Sequence, residues 1–378
     1  MIRIVNILLV VLTAWLSVCC WVKNESNNDR FTTLDYAPKE ATGFTIFTDA
    51  EGNKLLSVTR PWQGESPQEQ TLAIFATEAA AEGYAGQAIV GAAERVVCMS
   101  TSYVAMLDAL GLTEAIVGVS GKQYVINDAV RSNPEVRDVG YDSSLDFEAM
   151  LLLDADLVIL YGVSSENSAV TAKLREIGIP YIYLGDYTEQ SPLGKAEWVV
   201  AVAEIMGCRE RGEELFASIV KRYEAVKESV VPVDKPRRAM LTLPYQDVWS
   251  MPSDDSYLVR LIHDAGGEYI YKGKNPTAGS KGISLEEAIA LVSEADVWLN
   301  VGQCNTLDEV RGSAQLFSEM EVVRRGEVYN NNRRRSEGGG SDFWESAIVR
   351  PDVVLQDLVN VMRGEGELYY YHKIGDAE

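Results

Sequence analysis

The sequence predicts an α/β protein with two lobes, each built on a mostly parallel sheet, joined by a single long helix and preceded by a small N-terminal β segment. Short apolar, β-branched runs alternate with helical stretches between residues 93 and 208, and the alternation resumes after residue 236. A proline-free helical stretch separates the two series. Because strands that alternate with helices form parallel sheets, each series predicts a Rossmann-like lobe.

The first forty residues predict export and membrane attachment. Arg3 precedes an apolar run that is short for a bilayer anchor and fits a signal peptide over residues 1–18. The run ends in Leu-Ser-Val-Cys, which resembles a bacterial lipobox, although the usual pattern has a smaller residue where Val18 stands. The resemblance implies acylation of the Cys19 thiol, whereas the alternatives are an ordinary secretory signal or an uncleaved anchor. The polar residues 19–40 predict a disordered, solvated tether.

Residues 41–92 predict a small meander of strands. Short alternating runs occur at Phe44–Phe47, Leu55–Thr59 and Leu72–Phe75, and Glu51–Lys54 is a good turn sequence. No function follows from this segment.

The first lobe is predicted over residues 93–208, with strands at four apolar runs, Val96–Met99, Ile116–Val119, Asp156–Leu160 and Tyr181–Leu184. Ligands of open parallel sheets bind beyond the carboxyl ends of the strands, so the loops after these runs are expected to share one edge. The linking helix is predicted over residues 209–232, where Pro232 ends it, and the second lobe over residues 236–365.

Composition excludes several classes of function. The formal charge of 34 basic minus 56 acidic residues is −22, which disfavours nucleic acid as a partner. Only two histidines are present, so one chain cannot build a clustered imidazole metal site. Ser120 lacks the glycine spacing of a nucleophile elbow because Lys122 follows Gly121. We therefore expect neither an enzyme nor a protein with a metal or other cofactor.

Several stretches together resemble the substrate-binding proteins of ABC importers for iron complexes (siderophores) and vitamin B12. They are Arg95–Ser102 with Ala109–Leu112, Val139–Tyr141 with Leu145–Glu148, Ala155–Leu160, Leu261–Gly267, Gly282–Glu286, Asp296–Leu299, Asp342–Glu345 and Arg350–Asp352. The resemblance implies a permease and its ATPase as partners. The Val328–Arg333 segment and the Tyr369–Tyr371 tail also resemble lipoproteins from Bacteroidetes, which implies membrane attachment in the periplasm of a Gram-negative envelope.

Glu148 and Glu286 occupy equivalent positions in the two lobes, each at the start of a helix. In the family that the chain resembles, a glutamate at each position pairs with arginines of the permease, so the resemblance implies that both are docking contacts. The alternative is an ordinary carboxylate favoured by the helix dipole.

The ligand is expected between the lobes, beside the loops that follow the strands. The residues expected to bind it are Ser102, Tyr103, Tyr124, Tyr161, Trp249, Arg333, Arg334, Arg335 and Trp344, with Ser100, Thr101 and Phe343 nearby. Aromatic faces offer apolar area, while hydroxyl groups and arginines fix polar groups. The alternatives are aromatic residues of the core and a solvated basic loop.

The basic run of three arginines favours an anionic iron chelate of the siderophore type, because a nearby cluster outweighs a distant net charge. Cobalamin, a corrinoid, would need no such run. The alternatives are a cobalamin carrier, a haem carrier that uses Tyr161, or an envelope lipoprotein without a transport role.

Overall fold

The computed structural model describes residues 28–63, 69–245, 248–273, 280–313 and 315–375. The predicted signal peptide and Cys19 lie outside these residues. Within them, none of the helices combines the length and the apolar character that a bilayer crossing requires.

The N-terminal sheet contains five strands in sequential order, antiparallel except for the last pair. The strands are β1 (Thr33–Tyr36), β2 (Phe44–Thr48), β3 (Lys54–Val58), β4 (Gln70–Phe75) and β5 (Ala88–Val90), and a short helix, α1 (Glu78–Ala81), precedes β5. The three predicted strands are confirmed. The prediction of a disordered tether up to residue 40 is wrong from residue 28 onward, since β1 pairs with β2.

Two buried carboxylates fix the chain between β1 and β2. Glu197 accepts hydrogen bonds from the backbone amides of Lys39, Glu40 and Ala41 at 2.7–2.8 Å. Glu189 accepts the amides of residues 42 and 43 in the same way. Charged acceptors make strong hydrogen bonds, and a buried carboxylate needs several of them, so this contact orders a segment whose composition predicts disorder.

The first lobe has five parallel strands in the order β10-β9-β6-β7-β8. They are β6 (Val96–Cys98), β7 (Ile116–Val119), β8 (Arg137–Asp138), β9 (Leu157–Leu160) and β10 (Tyr181–Tyr183), with helices α2 (Thr101–Ala109), α3 (Asp128–Arg131), α4 (Phe147–Leu152) and α5 (Ser168–Ile177). The predicted parallel sheet is confirmed, and the loops after β6, β7, β9 and β10 share its carboxyl edge.

Two consecutive helices join the lobes. The first, α6 (Pro192–Ile205), is almost wholly buried and packs on α2 of the first lobe and on the second lobe. The second, α7 (Arg209–Glu228), leads into the second sheet and agrees closely with the predicted linking helix. A Cβ atom at Gly212 would lie 2.4 Å from the Ala203 Cβ, so the glycine permits the close approach of α6 and α7.

The second lobe has strands in the order β13-β11-β15-β16-β17, parallel except for β17, beside a two-stranded ribbon, β12-β14. The strands are β11 (Arg238–Leu241), β12 (Val248–Pro252), β13 (Glu268–Tyr269), β14 (Ser280–Ser284), β15 (Val297–Leu299), β16 (Val328–Asn330) and β17 (His372–Lys373). The helices are α8 (Tyr257–Asp264), α9 (Leu285–Val292), α10 (Leu307–Ser313), α11 (Glu321–Arg324) and α12 (Pro351–Arg363). Because β17 pairs with β16, this lobe extends beyond the predicted boundary at residue 365.

Candidate functional site

A cavity of about 230 Å³ lies between the lobes beside α6. The first lobe contributes the α2 N-terminus and the loop after β10, and the second lobe contributes α8, the 342–349 segment and α12. Its principal side chains are Ser100, Ser102, Tyr187, Tyr257, Phe343 and Trp344. We call this mainly apolar space the aromatic chamber.

The α2 N-terminus forms the polar edge of the aromatic chamber. Ser100 caps the helix by accepting the amide of Ser102, and the two hydroxyl oxygens lie 2.9 Å apart. The Thr101 hydroxyl donates to the Trp344 carbonyl at 3.3 Å, so the two lobes touch at this point. The sequence prediction of Ser102 as a cleft residue agrees with this position.

Asp186 and Lys195 add charge to the floor of the same chamber. Lys195 Nζ donates to the Asp186 carbonyl at 3.2 Å and lies 4.8 Å from the centre of the Tyr257 ring. Burial raises the pKa of the Asp186 carboxyl group, which interacts with Lys195 and with the hydroxyl groups of Ser102 and Tyr103. Burial also lowers the pKa of Lys195. The sequence predicted the loop after β10 but gave no signal for these two residues.

A second cavity, of about 220 Å³, lies on the other side of the contact between Thr101 and Trp344. It is lined by Tyr124 of the first lobe and by polar groups of the second lobe, namely Gln303, Asn331, Asn332, Arg335 and Ser341. We call it the polar chamber. Trp344 lines both chambers and keeps 56% of its surface exposed, so it is available to a ligand in either.

The three consecutive arginines have different partners. Arg334 pairs with Asp342 at 2.8 Å and its guanidinium carbon lies 4.6 Å from the Tyr369 ring centre. Arg333 donates to the Leu368 carbonyl. Arg335 lines the polar chamber and donates to Asn305 and Gln303 at 3.1 and 3.3 Å. The predicted basic wall of three side chains is therefore wrong, because only Arg335 lines either chamber.

A buried carboxylate joins the lobes beside the polar chamber. Glu345 of the second lobe accepts the backbone amides of Ile126 and Asn127 of the first lobe at 2.7 and 2.6 Å. Only 3% of Glu345 is exposed, and this burial raises its pKa to about 7 despite the two hydrogen bonds. We call this contact the inter-lobe clamp. The sequence of the Asp342–Glu345 stretch resembles the family but indicates no contact between the lobes.

Glycines allow the backbones of the two lobes to meet next to the clamp. A Cβ atom at Gly340 would lie 1.9 Å from the Tyr124 carbonyl oxygen, and one at Gly338 would lie 2.4 Å from that of Gln123. The Ser336 hydroxyl donates to the Gln123 carbonyl at 2.8 Å. The Gly338–Gly340 run is thus a close-approach segment between the lobes.

Two of the predicted cleft residues belong to the core instead. Tyr103 is fully buried, and its hydroxyl lies 3.1 Å from the Leu160 carbonyl. Trp249 is also fully buried and donates through its indole nitrogen to the Leu241 carbonyl at 3.0 Å. The predictions for both as ligand contacts are wrong, because each polar tip is satisfied inside a lobe. Tyr161, which is 37% exposed, lines neither chamber.

Glu148 and Glu286 have matching positions. Each is the second residue of its helix, α4 or α9, and each is exposed. The N-cap residues Asp146 and Ser284 precede them. The structure thus places one exposed carboxylate on each lobe in the same local setting.

The arrangement offers binding surfaces and little chemistry. In the described ranges, no group of three or more His, Cys, Asp or Glu side chains could hold a metal ion. The combination of an apolar aromatic space with a few convergent polar groups is typical of sites that bind a small molecule.

Known proteins include relatives of this chain that are similar over most of its length. An uncharacterized lipoprotein of Methanocaldococcus jannaschii is 22% identical over 334 residues, which are 85% of this chain and 75% of that protein. A Fe(3+)-citrate-binding protein of Bacillus subtilis is 22% identical over 243 residues, 64% of this chain and 74% of its own length.

Solved structures share the fold. A possible iron-binding, periplasmic solute-binding protein from Staphylococcus epidermidis has a TM-score of 0.56 at 17% identity, covering 71% of this chain and 98% of its own. The periplasmic vitamin B12 binding protein of Vibrio cholerae (TM-score 0.51, 15% identity) covers 72% of this chain and 97% of its own. The periplasmic heme binding protein of the same organism (TM-score 0.53, 17% identity) covers 69% of this chain and 98% of its own.

The family model for periplasmic binding proteins matches residues 96–332, which include the whole first lobe and most of the second. The N-terminal sheet lies outside this match. The resemblance to substrate-binding proteins of ABC importers and the two-lobe fold are both confirmed. The chain belongs to the periplasmic binding protein family and is therefore a substrate-binding protein rather than an enzyme.

Proposed function

We propose that this protein captures an iron chelate of the siderophore type between its lobes and delivers it to the permease of an ABC importer. The observation that supports this most is the pair of chambers between the lobes, which share Trp344. The aromatic chamber suits the apolar body of a chelate, while Arg335 offers a cation that suits an anionic one.

The other ligands considered from the sequence receive less support. A haem held by Tyr161 fits poorly, since this residue lines neither chamber and burial raises the pKa of its phenol. Cobalamin makes no use of a guanidinium group beside Trp344. The curated relative with an iron-chelate name also favours the proposal, at 22% identity.

The experiment is a tryptophan-fluorescence titration of the full chain in detergent with ferric siderophores, haem and cyanocobalamin, corrected for ligand absorbance. Trp344 lines both chambers, so a bound ligand should change its emission. Trp344→Phe should remove most of that change. Saturation by a ferric chelate alone supports the proposal, whereas saturation by cyanocobalamin or haem alone contradicts it.

Delivery is proposed to use Glu148 and Glu286 as docking contacts. On α4, Glu148 has two apolar neighbours, Leu151 at 52% and Leu152 at 82% exposure. Exposed leucines next to an exposed carboxylate suit an interface with an apolar centre and a basic rim. Each glutamate needs to contribute little affinity, because two contacts on separate lobes also fix orientation.

The docking proposal is tested by uptake in cells that carry Glu148→Arg together with Glu286→Arg. The matched control is Glu287→Arg, one position further along the same helix and also exposed. Uptake should fall at least tenfold in the double variant and stay near the wild-type rate in the control, with ligand affinity unchanged in both. Normal uptake by the double variant contradicts docking through these residues.

A further inference from the structure

We propose that the polar chamber is a subsite for a carboxylate group of the ligand, held by the Arg335 guanidinium group and the Asn331 side-chain amide. The inference rests on the proposed function and narrows it, since it requires a chelate that carries a carboxylate arm rather than a neutral chelate.

The first observation is the electrostatic state of Arg335. Its recorded side-chain partners, Asn305 and Gln303, are neutral amides. Throughout the part of the chain that the structure describes, no carboxylate lies within ion-pairing distance of it. Its neighbour Arg334, by contrast, is neutralised by Asp342. In a chain with a net charge of −22, an uncompensated guanidinium group at a cavity wall favours an anion at that place.

The second observation is a buried donor without a partner. Asn331 is only 6% exposed, and its side-chain amide nitrogen makes no hydrogen bond in the structure. A buried donor left unpaired costs free energy, so an acceptor on a ligand would be held there with little competition from water. Asn331 and Arg335 line the same chamber, and the guanidinium group of Arg335 carries donors only.

The third observation is that the two chambers are adjacent and share lining residues. Trp344 and Thr101 line both, so a ligand that fills the aromatic chamber can extend an arm past Trp344 into the polar one. A carboxylate is the group that matches the donors there, because two oxygens can accept from the guanidinium group and the amide together. An apolar or cationic arm would leave these donors unpaired.

The test compares two ferric chelates by isothermal titration of the full chain in detergent. Ferric citrate supplies carboxylates, and ferrichrome is a neutral trihydroxamate. The variants are Arg335→Gln and the matched control Arg333→Gln, which changes the net charge equally but alters a side chain directed to the Leu368 carbonyl. Asn331→Asp, of nearly unchanged size, replaces the orphan donor with an acceptor.

We expect wild type to bind ferric citrate more tightly than ferrichrome. Affinity for ferric citrate should fall about 10- to 100-fold in Arg335→Gln and in Asn331→Asp, as expected for losing a hydrogen bond to a charged group. It should change by less than about threefold in Arg333→Gln, where only long-range charge is altered. Thermal unfolding of each variant establishes that it is folded.

Three results overturn the subsite. If Arg335→Gln and Arg333→Gln lose affinity for ferric citrate equally, net charge alone explains the binding. If Arg335→Gln binds ferric citrate as tightly as the wild-type protein, the polar chamber does not bind a carboxylate. Preference of wild type for ferrichrome refutes the carboxylate arm while leaving the proposed iron-chelate function intact. Failure of wild type to bind either chelate overturns both.

Discussion

Replacing Glu345 by glutamine should remove the pH dependence of the inter-lobe clamp, which in the wild-type protein weakens as the pH rises. The clamp holds the backbone amides of Ile126 and Asn127. Burial raises the pKa of Glu345 from 4.5 to about 7, with a smaller contribution from Asp342, while the two amide hydrogen bonds and Arg131 act in the opposite direction. Closed lobes therefore bind a proton more readily than open lobes.

The sign and size follow from this pKa difference. A raised pKa means that the contribution of Glu345 to closure is fully present below pH 4.5 and is lost as the pH rises through about 7. At about 1.4 kcal/mol per pKa unit, the difference between 4.5 and about 7 amounts to roughly 300-fold in the closing equilibrium, or between about 3 and 4 kcal/mol. Glutamine carries no charge and should escape this loss. Because only its oxygen can accept, it gives up one of the two amide hydrogen bonds at every pH.

Amide hydrogen exchange at residues 126 and 127 measures the opening of the clamp directly. After correction for intrinsic exchange, their protection in wild type should fall between pH 5 and pH 8, whereas in Glu345→Gln it should stay level and exceed wild type at pH 8. Glu337→Gln, an exposed position in the same segment, should follow wild type. The reasoning is refuted if Glu345→Gln loses protection equally at both pH values, because the charged hydrogen bonds would then outweigh the burial.

Three further outcomes are expected. Glu197→Gln should release the segment at residues 39–41, because one amide oxygen replaces a carboxylate that accepts three backbone amides. The attachment should lose about 2 kcal/mol of stability, which should appear as faster proteolysis of the N-terminal segment while the lobes stay intact. Gly340→Ala should weaken ligand binding at least tenfold in a fluorescence titration, since the methyl group would meet the Tyr124 carbonyl, and Gly312→Ala, where the added atom meets nothing, should bind normally. Cys19→Ser should abolish incorporation of labelled palmitate in cells, and retained label would contradict the lipobox prediction.

The fold was largely predictable because the alternation of apolar and polar residues and the residues that end helices are local features of the sequence. Three strands of the N-terminal sheet, β2, β3 and β4, and the helix after Gly207 follow from residue periodicity alone. The ordered conformation of residues 28–40 does not follow from periodicity, because it depends on Glu197, which lies more than 150 positions away in the chain. A polar sequence with a distant buried acceptor is indistinguishable from a tether when read locally.

The site was predictable only by region. Ser102, Tyr124 and Trp344, which were predicted from the loops after parallel strands, line the chambers between the lobes, because topology fixes which edge these loops share. Tyr103 and Trp249 were misassigned because an aromatic side chain with a polar tip suits a cleft and a hydrogen-bonded core equally well. Adjacent arginines also look like one cluster in a sequence, whereas their different partners, Asp342, Leu368 and Asn305, appear only in the folded chain.

The attachment of residues 39–43 to Glu189 and Glu197 determines how mechanical load enters the molecule. Glu197 belongs to α6, the helix on which both lobes pack, and Glu189 lies in the loop before it, so a pull on the N-terminal end acts on the first lobe and on this shared helix. The anchoring strength of the N-terminal end therefore depends on two buried carboxylates rather than on the N-terminal sheet alone.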